Sequence, residues 1–315
     1  MNVVVLGLMA LIAGLLLREL AALLRARAPE QTHMVMVGGE APACQDTIPK
    51  ILWTYWPASP PPPFIQACLD NWREFAPDHE LRLIDRAGLA RWLPALRADF
   101  DALPADHQVD WLRAQLLARH GGIWMDPATL LSRDIAWLHE TRRRRAADCV
   151  GFYSDRCTTR PEQPIVESGL MASVAGGRCA TALAQALDRA LDEGADALLQ
   201  RLRAQGRHER VMQGLSGDFQ LCALTPLVAS ELQDREPQAA RLVLLRAEDG
   251  PLAWQAGLGW RERRFYARLA LLPCPRVLPA VLALGRSERA VVERNWRRGL
   301  VSPFSALRHL LGRRR

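Results

Sequence analysis

The stretch that decides the fold is Ile48-Pro-Lys-Ile-Leu-Trp-Thr-Tyr-Trp56, a β-branched and aromatic run typical of a buried strand. Prolines at 57 and 60–63 follow it, and they force a loop because proline cannot continue a strand ladder. Residues 64–75 then carry apolar side chains at helical spacing, and residues 80–84 alternate polar and apolar side chains. This order of strand, helix and strand predicts the opening of an α/β domain.

A second informative stretch is Gly121-Gly-Ile-Trp-Met-Asp126. The preceding residues 106–119 predict an amphipathic helix, which Gly121 would cap, and residues 123–125 predict a short buried strand. Ligands bind at the carboxyl ends of strands in open α/β sheets, so Asp126 is a candidate site residue, with capping of the next turn as the alternative. Gly121 and Gly122 carry no side chains, which allows a ligand or another backbone segment to approach closely.

Asp110 and Arg113 lie three residues apart, so they share one face of the predicted helix. Taken alone, this spacing favours an exposed intrahelical ion pair, which would contribute little to stability. Their position shortly before the glycine pair and Asp126 favours instead a role in the same site.

Four motifs, in this order, resemble the capsular polysaccharide synthesis family: residues 48–56, Asn71-Trp72, Asp110-Trp-Leu-Arg113 and Gly121-Gly-Ile-Trp-Met-Asp126. That family is similar to glycosyltransferases with a DxD motif, including yeast-type mannosyltransferases and the sugar-transferring domains of clostridial toxins. The likeness covers about residues 48–132 and continues more weakly through Pro164-Ile-Val-Glu167. It implies a GT-A-like α/β fold with a mixed, mainly parallel sheet, and a nucleotide-sugar donor.

The resemblance also assigns roles to single residues. Trp56 matches the tryptophan that stacks on the donor base, Asp110 and Arg113 match the pair that holds the donor's sugar and phosphate region, and Asp126 matches the first aspartate of DxD. An arginine suits a diphosphate because its planar fork of donors can bind two oxygens. Apart from the resemblance, a transfer that inverts configuration needs a carboxylate as general base. Glu167 is the candidate for that role beside Asp126, and a surface carboxylate in a proline-bounded loop is its alternative interpretation. The predicted donor-binding residues are Trp53, Trp56, Asp110, Arg113, Gly121, Gly122, Asp126 and Thr129.

The resemblance implies a divalent metal, Mn²⁺ or Mg²⁺, but this sequence lacks one of the residues that would bind it. Asp126 is the predicted metal ligand, but the second aspartate of DxD is replaced by Ala128, whose methyl group offers no oxygen. A carboxylate such as Glu167 or Asp218 could share a metal with Asp126 and the donor phosphates. Alternatively, Arg113 and other arginines could offset the charge of the leaving diphosphate without a metal.

The N-terminal residues 3–17 are uncharged and largely apolar, and Arg18, Arg25 and Arg27 come after them. This arrangement predicts a membrane-anchor helix within residues 1–28 and places the body at the cytoplasmic face. A buried N-terminal helix and a signal cleaved at Ala26-Arg-Ala28 are the alternatives. Beyond the anchor, the sequence predicts a linker at residues 29–47, the GT-A-like domain at 48–275 and a basic helical tail without strands at 276–315.

The formal charge is +7, yet Lys50 is the only lysine among 41 basic residues. We attribute this balance to a composition biased toward arginine and expect no nucleic-acid partner, although a basic interaction protein is one alternative. Seven scattered cysteines predict neither a zinc site nor a disulfide framework. The sequence therefore predicts a glycosyltransferase that moves a sugar from a nucleotide-sugar donor to a capsular or other surface polysaccharide, or to its lipid-linked precursor. A catalytically inactive nucleotide-sugar or glycan-binding protein of the same fold is the other alternative.

Overall fold

The computed structural model describes residues 3–215 and 224–312. Seven strands form one mixed sheet in the order β1-β8-β6-β7-β4-β2-β3, and β5 pairs with β9 in a separate ribbon. The strands are β1 Met34–Val37, β2 Ile51–Tyr55, β3 Glu80–Ile84, β4 Gly122–Met125, β5 Thr129–Leu131, β6 Cys149–Tyr153, β7 Val166–Ser173, β8 Leu242–Arg246 and β9 Val281–Ala283.

Helices cover both faces of this sheet, so an apolar core forms on each side. The helices of the described residues are α1 Val3–Arg25, α2 Pro63–Phe75, α3 Leu89–Trp92, α4 Ala105–His120, α5 Ala136–Arg145, α6 Arg178–Glu193, α7 Ala195–Ala204, α8 His208–Met212, α9 Leu224–Arg235, α10 Ala253–Gly257, α11 Glu262–Tyr266, α12 Arg286–Arg297 and α13 Ala306–Leu311. Helices α4, α6, α7 and α9 pack on one face, whereas α2 and the C-terminal segments pack on the other. The predicted α/β class and the early strand–helix–strand unit are confirmed.

The sheet is evenly mixed, which corrects the expectation of a mainly parallel one. In the described residues β2 pairs in parallel with β3 and β4, and β6 pairs in parallel with β8. The antiparallel pairs are β1 with β8, β4 with β7, and β6 with β7. Strand β7 inserts between β4 and β6, and this long-range pairing leaves no signal in the local sequence pattern.

The predicted linker at residues 29–47 contains strand β1, so that expectation was wrong. Met34–Val37 pairs antiparallel with β8 at the edge of the sheet, and Val37, Ala41 and Cys44 are buried. Four residues are too few to show a period, and the glycines and prolines around them favoured a loop.

The C-terminal tail is part of the folded body, so residue 275 is not a structural boundary. Strand β9 within it pairs with β5, which corrects the expectation of a tail without strands. Helices α12 and α13 pack on α2: the rings of Phe64 and Trp296 lie 5.7 Å apart, and the Asn71 amide donates to the Leu310 carbonyl over 3.2 Å. The short β9 run is stabilised by its partner strand rather than by its own composition.

Helix α1 is exposed over most of its length, and only its last turns contact the body of the protein. Its segment Val4–Arg25 has 22 residues and a mean hydropathy of 2.1, and none of it is buried. At about 1.5 Å per residue this helix is long enough to cross a hydrocarbon core of about 30 Å. The prediction of a single apolar N-terminal helix is confirmed, and by length and composition it suits either an anchor or a signal sequence.

Candidate functional site

A cleft of about 420 Å³ opens at the edge of the sheet where β2 and β4 end. These strands are parallel, so Trp56 and Asp126, which follow them directly, come to the same edge. Strand β7 runs the other way and begins there, and the Asp126 amide donates to the Gly169 carbonyl over 2.9 Å. The prediction that Asp126 ends a buried strand is therefore confirmed.

Four of the predicted donor-binding residues line this cleft, namely Trp56, Asp110, Arg113 and Asp126. Helix α4 contributes Asp110 and Arg113 from its middle turns. The sequence prediction thus identified residues from three separate segments that the fold brings together.

Asp110 and Arg113 form a buried pair, which excludes the exposed intrahelical ion pair considered from the sequence. Their side chains are 6% and 3% exposed, and an Arg113 Nη atom donates to Asp110 Oδ1. The other Asp110 oxygen accepts the amides of Leu224 at 2.6 Å and Thr225 at 3.1 Å, while Arg113 also donates to Thr225 Oγ1 at 3.0 Å. Asp110 therefore anchors the start of α9 to α4, and its bonds to Arg113 and α9 hold the guanidinium in place.

Asp126 lies at the floor of the cleft with its side chain 47% exposed. Its Oδ1 accepts the Trp124 indole N–H at 2.9 Å and lies 3.9 Å from an Arg113 Nη atom. Desolvation by the cleft walls raises the pKa of Asp126, while Arg113 and the Trp124 hydrogen bond oppose that rise. The carboxylate is thus held in one orientation with its second oxygen left for contacts in the cleft.

Glu167 stands next to Asp126, on the other side of Gly169. A Cβ atom built on Gly169 would lie 3.2 Å from Asp126 Oδ2 and 3.4 Å from Glu167 Oε1, so only a glycine fits comfortably between the two carboxylates. Desolvation raises the pKa of Glu167, the Gly169 amide lowers it through a 3.2 Å hydrogen bond, and the charge of Asp126 raises it further. Two neighbouring carboxyl groups with raised pKa values are a common arrangement for acid–base chemistry.

A divalent metal would find few ligands among the described side chains at this place. Ala128 is buried and lines the cleft where the second DxD aspartate would stand. In the part of the chain that the structure describes, no group of three or more His, Cys, Asp or Glu residues is arranged to hold a metal. Asp218, the other carboxylate considered from the sequence, lies outside the described residues. Asp126 and Glu167 alone offer less than the oxygen set that Mg²⁺ or Mn²⁺ prefers.

The sequence prediction missed two arginines that line the cleft, Arg286 and Arg289 of helix α12. The Arg289 guanidinium lies 5.1 Å from the centre of the Trp56 ring, and Arg286 bonds Asp106 of α4 across the cleft. Both α4 and α12 begin at the cleft, so the positive ends of two helix dipoles face it. No sequence signal distinguished these two arginines from the others in an arginine-rich tail.

The remaining predicted donor-binding residues lie away from the cleft, in the core. Gly121 and Gly122 have φ values of +63° and +98°, and a Cβ atom there would lie 2.5 Å from the Ala175 nitrogen or 2.8 Å from the Ile51 carbonyl oxygen. Another backbone, and not a ligand, is what approaches these glycines. Trp53 is fully buried and donates to the Gly121 carbonyl at 2.8 Å.

Thr129 is buried in β5, where its carbonyl accepts the Trp72 indole N–H at 2.7 Å. The backbone of Thr129 therefore joins β5 to α2, and Thr129 is not among the residues that line the cleft.

Residues 40–144 match the family model described as capsular polysaccharide synthesis protein. This match covers the motifs that line the cleft from α4 and β4, and it confirms the resemblance seen in the sequence. No curated protein matches the chain significantly. Among solved structures the chain is similar to the PaToxG glycosyltransferase, with a TM-score of 0.37 and 13% identity over 84% of this chain and 90% of that one.

Proposed function

We propose that the protein is a glycosyltransferase that binds a nucleotide-sugar donor in the cleft at the ends of β2 and β4. The observation that carries the proposal is the convergence of Asp126, Arg113 and Arg289, from three distant segments, on one cleft. A buried arginine, a fixed carboxylate and an arginine beside a tryptophan together suit a ligand that has an anionic, a hydroxylated and an aromatic part.

The donor's diphosphate would lie against the basic side of the cleft. Arg113, Arg286 and Arg289 line it, and the N-terminal ends of α4 and α12 add positive potential. These groups would stabilise the negative charge that develops on the diphosphate as its bond to the sugar breaks. The Trp56 ring lies directly beside Arg289 and offers a flat surface on which the nucleotide base of the donor would stack.

Asp126 and Glu167 would act on the sugar and the acceptor. Asp126, oriented by Trp124 and Arg113, suits hydrogen bonds to sugar hydroxyls. In a transfer that inverts configuration, the hydroxyl oxygen of the acceptor attacks the anomeric carbon of the donor sugar. Glu167 would take the proton of that hydroxyl group during the attack. A raised pKa makes Glu167 a stronger base than an ordinary carboxylate.

Helix α1 and the family match support a membrane-bound acceptor. An apolar run followed by Arg18, Arg25 and Arg27 is consistent with a body held at the cytoplasmic face of a membrane. We therefore propose a growing surface glycan or its lipid-linked precursor as the acceptor. A match to capsular polysaccharide synthesis proteins supports the same choice.

The test is a panel of nucleotide sugars with the full-length protein in detergent, scoring nucleotide release with Mn²⁺ and with a chelator. We expect release from at least one donor by the wild type and a loss on the order of 10²-fold or more in Asp126→Asn. Asp196→Asn, on the exposed surface of α7, is the matched control and should behave as the wild type. Equal release by wild type and Asp126→Asn would overturn the catalytic assignment, and donor binding without any release would favour the inactive binding protein.

A further inference from the structure

The end of helix α1 is fixed to the body by residues 253–274. Ala26, one residue after the helix, is buried, and its carbonyl accepts Arg268 Nε at 3.5 Å. A Cβ atom built on Gly257 would lie 3.6 Å from the Ala26 Cβ atom. Earlier in the helix, Glu19 accepts Arg264 Nε at 2.7 Å. The body therefore touches α1 over its last two turns and not only at its end.

Four exposed apolar side chains belong to the segments beside this attachment. Beyond α1, the exposed large apolar side chains of the described residues are Met34 and Met36 on the edge strand β1, and Leu271, Val277, Leu300 and Phe304, the last of which is 75% exposed. Residues 253–274, which contact α1, also bind the loop that carries Leu300 and Phe304. The Ser302 amide donates to the Ala270 carbonyl at 2.8 Å, and the Cys274 amide donates to the Phe304 carbonyl at 2.7 Å. Val277 lines a cleft together with Ala28 and Pro29, directly after the helix.

Exposed arginines accompany these apolar side chains. Arg25 and Arg27 are exposed at the end of α1, and Arg261 and Arg263 are exposed on the segment that pairs with Glu19. Arginines beside apolar side chains suit a membrane interface, where the cations meet anionic headgroups and the apolar groups enter the acyl boundary.

The position of Glu19 sets the depth of this surface. Arg18 and Glu19 are the first charged side chains of α1. The uncharged run before them spans about 22 Å, so a bilayer that is thinned locally, with these side chains reaching to its surface, would place its headgroups at Glu19. The ion pair between Glu19 and Arg264 then places residues 261–264 at the level of the headgroups.

We propose that a docking surface formed by Arg261, Arg263, Leu271, Val277, Leu300 and Phe304 lies on the bilayer that holds α1 and binds its anionic phospholipids. This inference rests on α1 being embedded in a membrane and not on the transferase activity. Such docking would also hold the cleft close to the membrane. Helix α12 runs from Arg286 at the cleft to Arg297, three residues before Leu300, and its length is about 18 Å.

The test is hydrogen–deuterium exchange of the full-length protein in nanodiscs of phosphatidylcholine alone and of phosphatidylcholine with phosphatidylglycerol. We expect the amides of residues 260–264 and 298–304 to exchange about fivefold more slowly with the anionic lipid, since one arginine near an anionic surface contributes about that factor. The double variant Arg261→Gln/Arg263→Gln should remove this difference between lipids. Leu300→Ser/Phe304→Ser should raise exchange of residues 298–304 in both nanodiscs.

The matched control is Arg189→Gln/Arg203→Gln, which removes two exposed arginines from α6 and α7 on the opposite face of the sheet. It should keep the wild-type difference. Equal exchange of residues 260–264 in detergent and in both nanodiscs, or the same loss in the control as in the Arg261/Arg263 variant, would refute the docking surface. Nucleotide release is not part of the readout, so this test stands or fails separately from the proposed transferase.

Discussion

The guanidinium of Arg113 lies 3.9 Å from Asp126 Oδ1 while it is bonded to Asp110. One buried cation thus faces two carboxylates, one of which anchors α9 and the other of which opens into the cleft. Arg113 Nε has no hydrogen-bond partner in the described residues. The charge of Arg113 is therefore shared between a buried packing contact with Asp110 and the carboxylate of Asp126 at the cleft.

Replacing Arg113 by methionine should reduce the free energy of unfolding by about 3 kcal/mol or more, because it leaves two carboxylates without their buried counter-charge. Denaturant unfolding in detergent, followed by tryptophan fluorescence, measures this loss. Arg189→Met, on the exposed surface of α6, should change the free energy of unfolding by no more than about 0.5 kcal/mol. Equal effects of the two substitutions would contradict the structural role of Arg113.

Gly121→Ala should destabilise the protein more than Gly194→Ala, whose backbone conformation alone should cost about 1 to 3 kcal/mol. Both glycines have positive φ values, +63° and +84°, but an added Cβ meets the Ala175 nitrogen at 2.5 Å only at Gly121 and finds open space at Gly194. Thermal unfolding of the two variants separates the steric clash from the backbone preference. A similar melting temperature for both would show that the strands beside Gly121 can move apart.

Arg289→Gln should raise the donor KM by about tenfold with a smaller change in kcat, if the guanidinium contacts the diphosphate in both the ground and the transition state. Arg289→Lys should recover part of the loss because it keeps the charge without the planar fork. Steady-state nucleotide release with the best donor of the panel measures both constants. The exposed Arg294 of the same helix offers the control Arg294→Gln, which should leave the donor KM unchanged.

Glu167→Gln should lower kcat by about 10² to 10⁴-fold if Glu167 takes the acceptor proton. Desolvation raises the pKa of Glu167 above the ordinary value of a glutamate. The wild-type base is therefore lost as pH falls through that raised pKa, and activity should decline at a higher pH than for an ordinary glutamate. A profile of kcat/KM against pH measures this acidic limb. Residual activity of the variant should no longer show the limb, and a variant with an unchanged profile would exclude Glu167 as the base.

His79 and His139 should make the stability depend on pH. Their Nε2 atoms lie 2.8 Å apart, and burial, with the charge of His139 and Lys50, lowers the pKa of His79 from 6.5 to about 4. The unfolded chain therefore binds more protons than the folded one between these values, so this stability is present above pH 6.5 and is lost as pH falls toward 4. Unfolding titrations at several pH values should give a shallower slope for His79→Gln than for the wild type, and an equal slope would refute the assignment.

Local sequence patterns were sufficient for the central part of the fold. Residues 51–55, 80–84 and 122–125 form strands because β-branched and aromatic side chains and alternation favour a buried pleat, and residues 105–120 form a helix. The same reasoning identified Asp126 as a candidate site residue, since a carboxylate at the end of a buried strand needs a partner or a function.

The glycine pair shows the limit of such patterns. Both glycines indicated a close approach, but the sequence alone could not decide between a ligand and a neighbouring backbone. The answer depends on Ala175 and Ile51, which belong to other segments and meet Gly121 and Gly122 only in the folded chain.

What the sequence by itself determined is the α/β class and the apolar N-terminal helix, because their patterns depend on neighbours within a few residues. Asp110, Arg113 and Asp126 were also identified from the sequence, through the order of motifs that resemble the family. Only the tertiary structure decided that β1 and β9 are strands, that Arg286 and Arg289 line the cleft, and that Trp53 belongs to the core. These features depend on contacts between distant segments. Such contacts stabilise strands that are too short to show a sequence pattern, and they place arginines that look like any other arginine in the sequence.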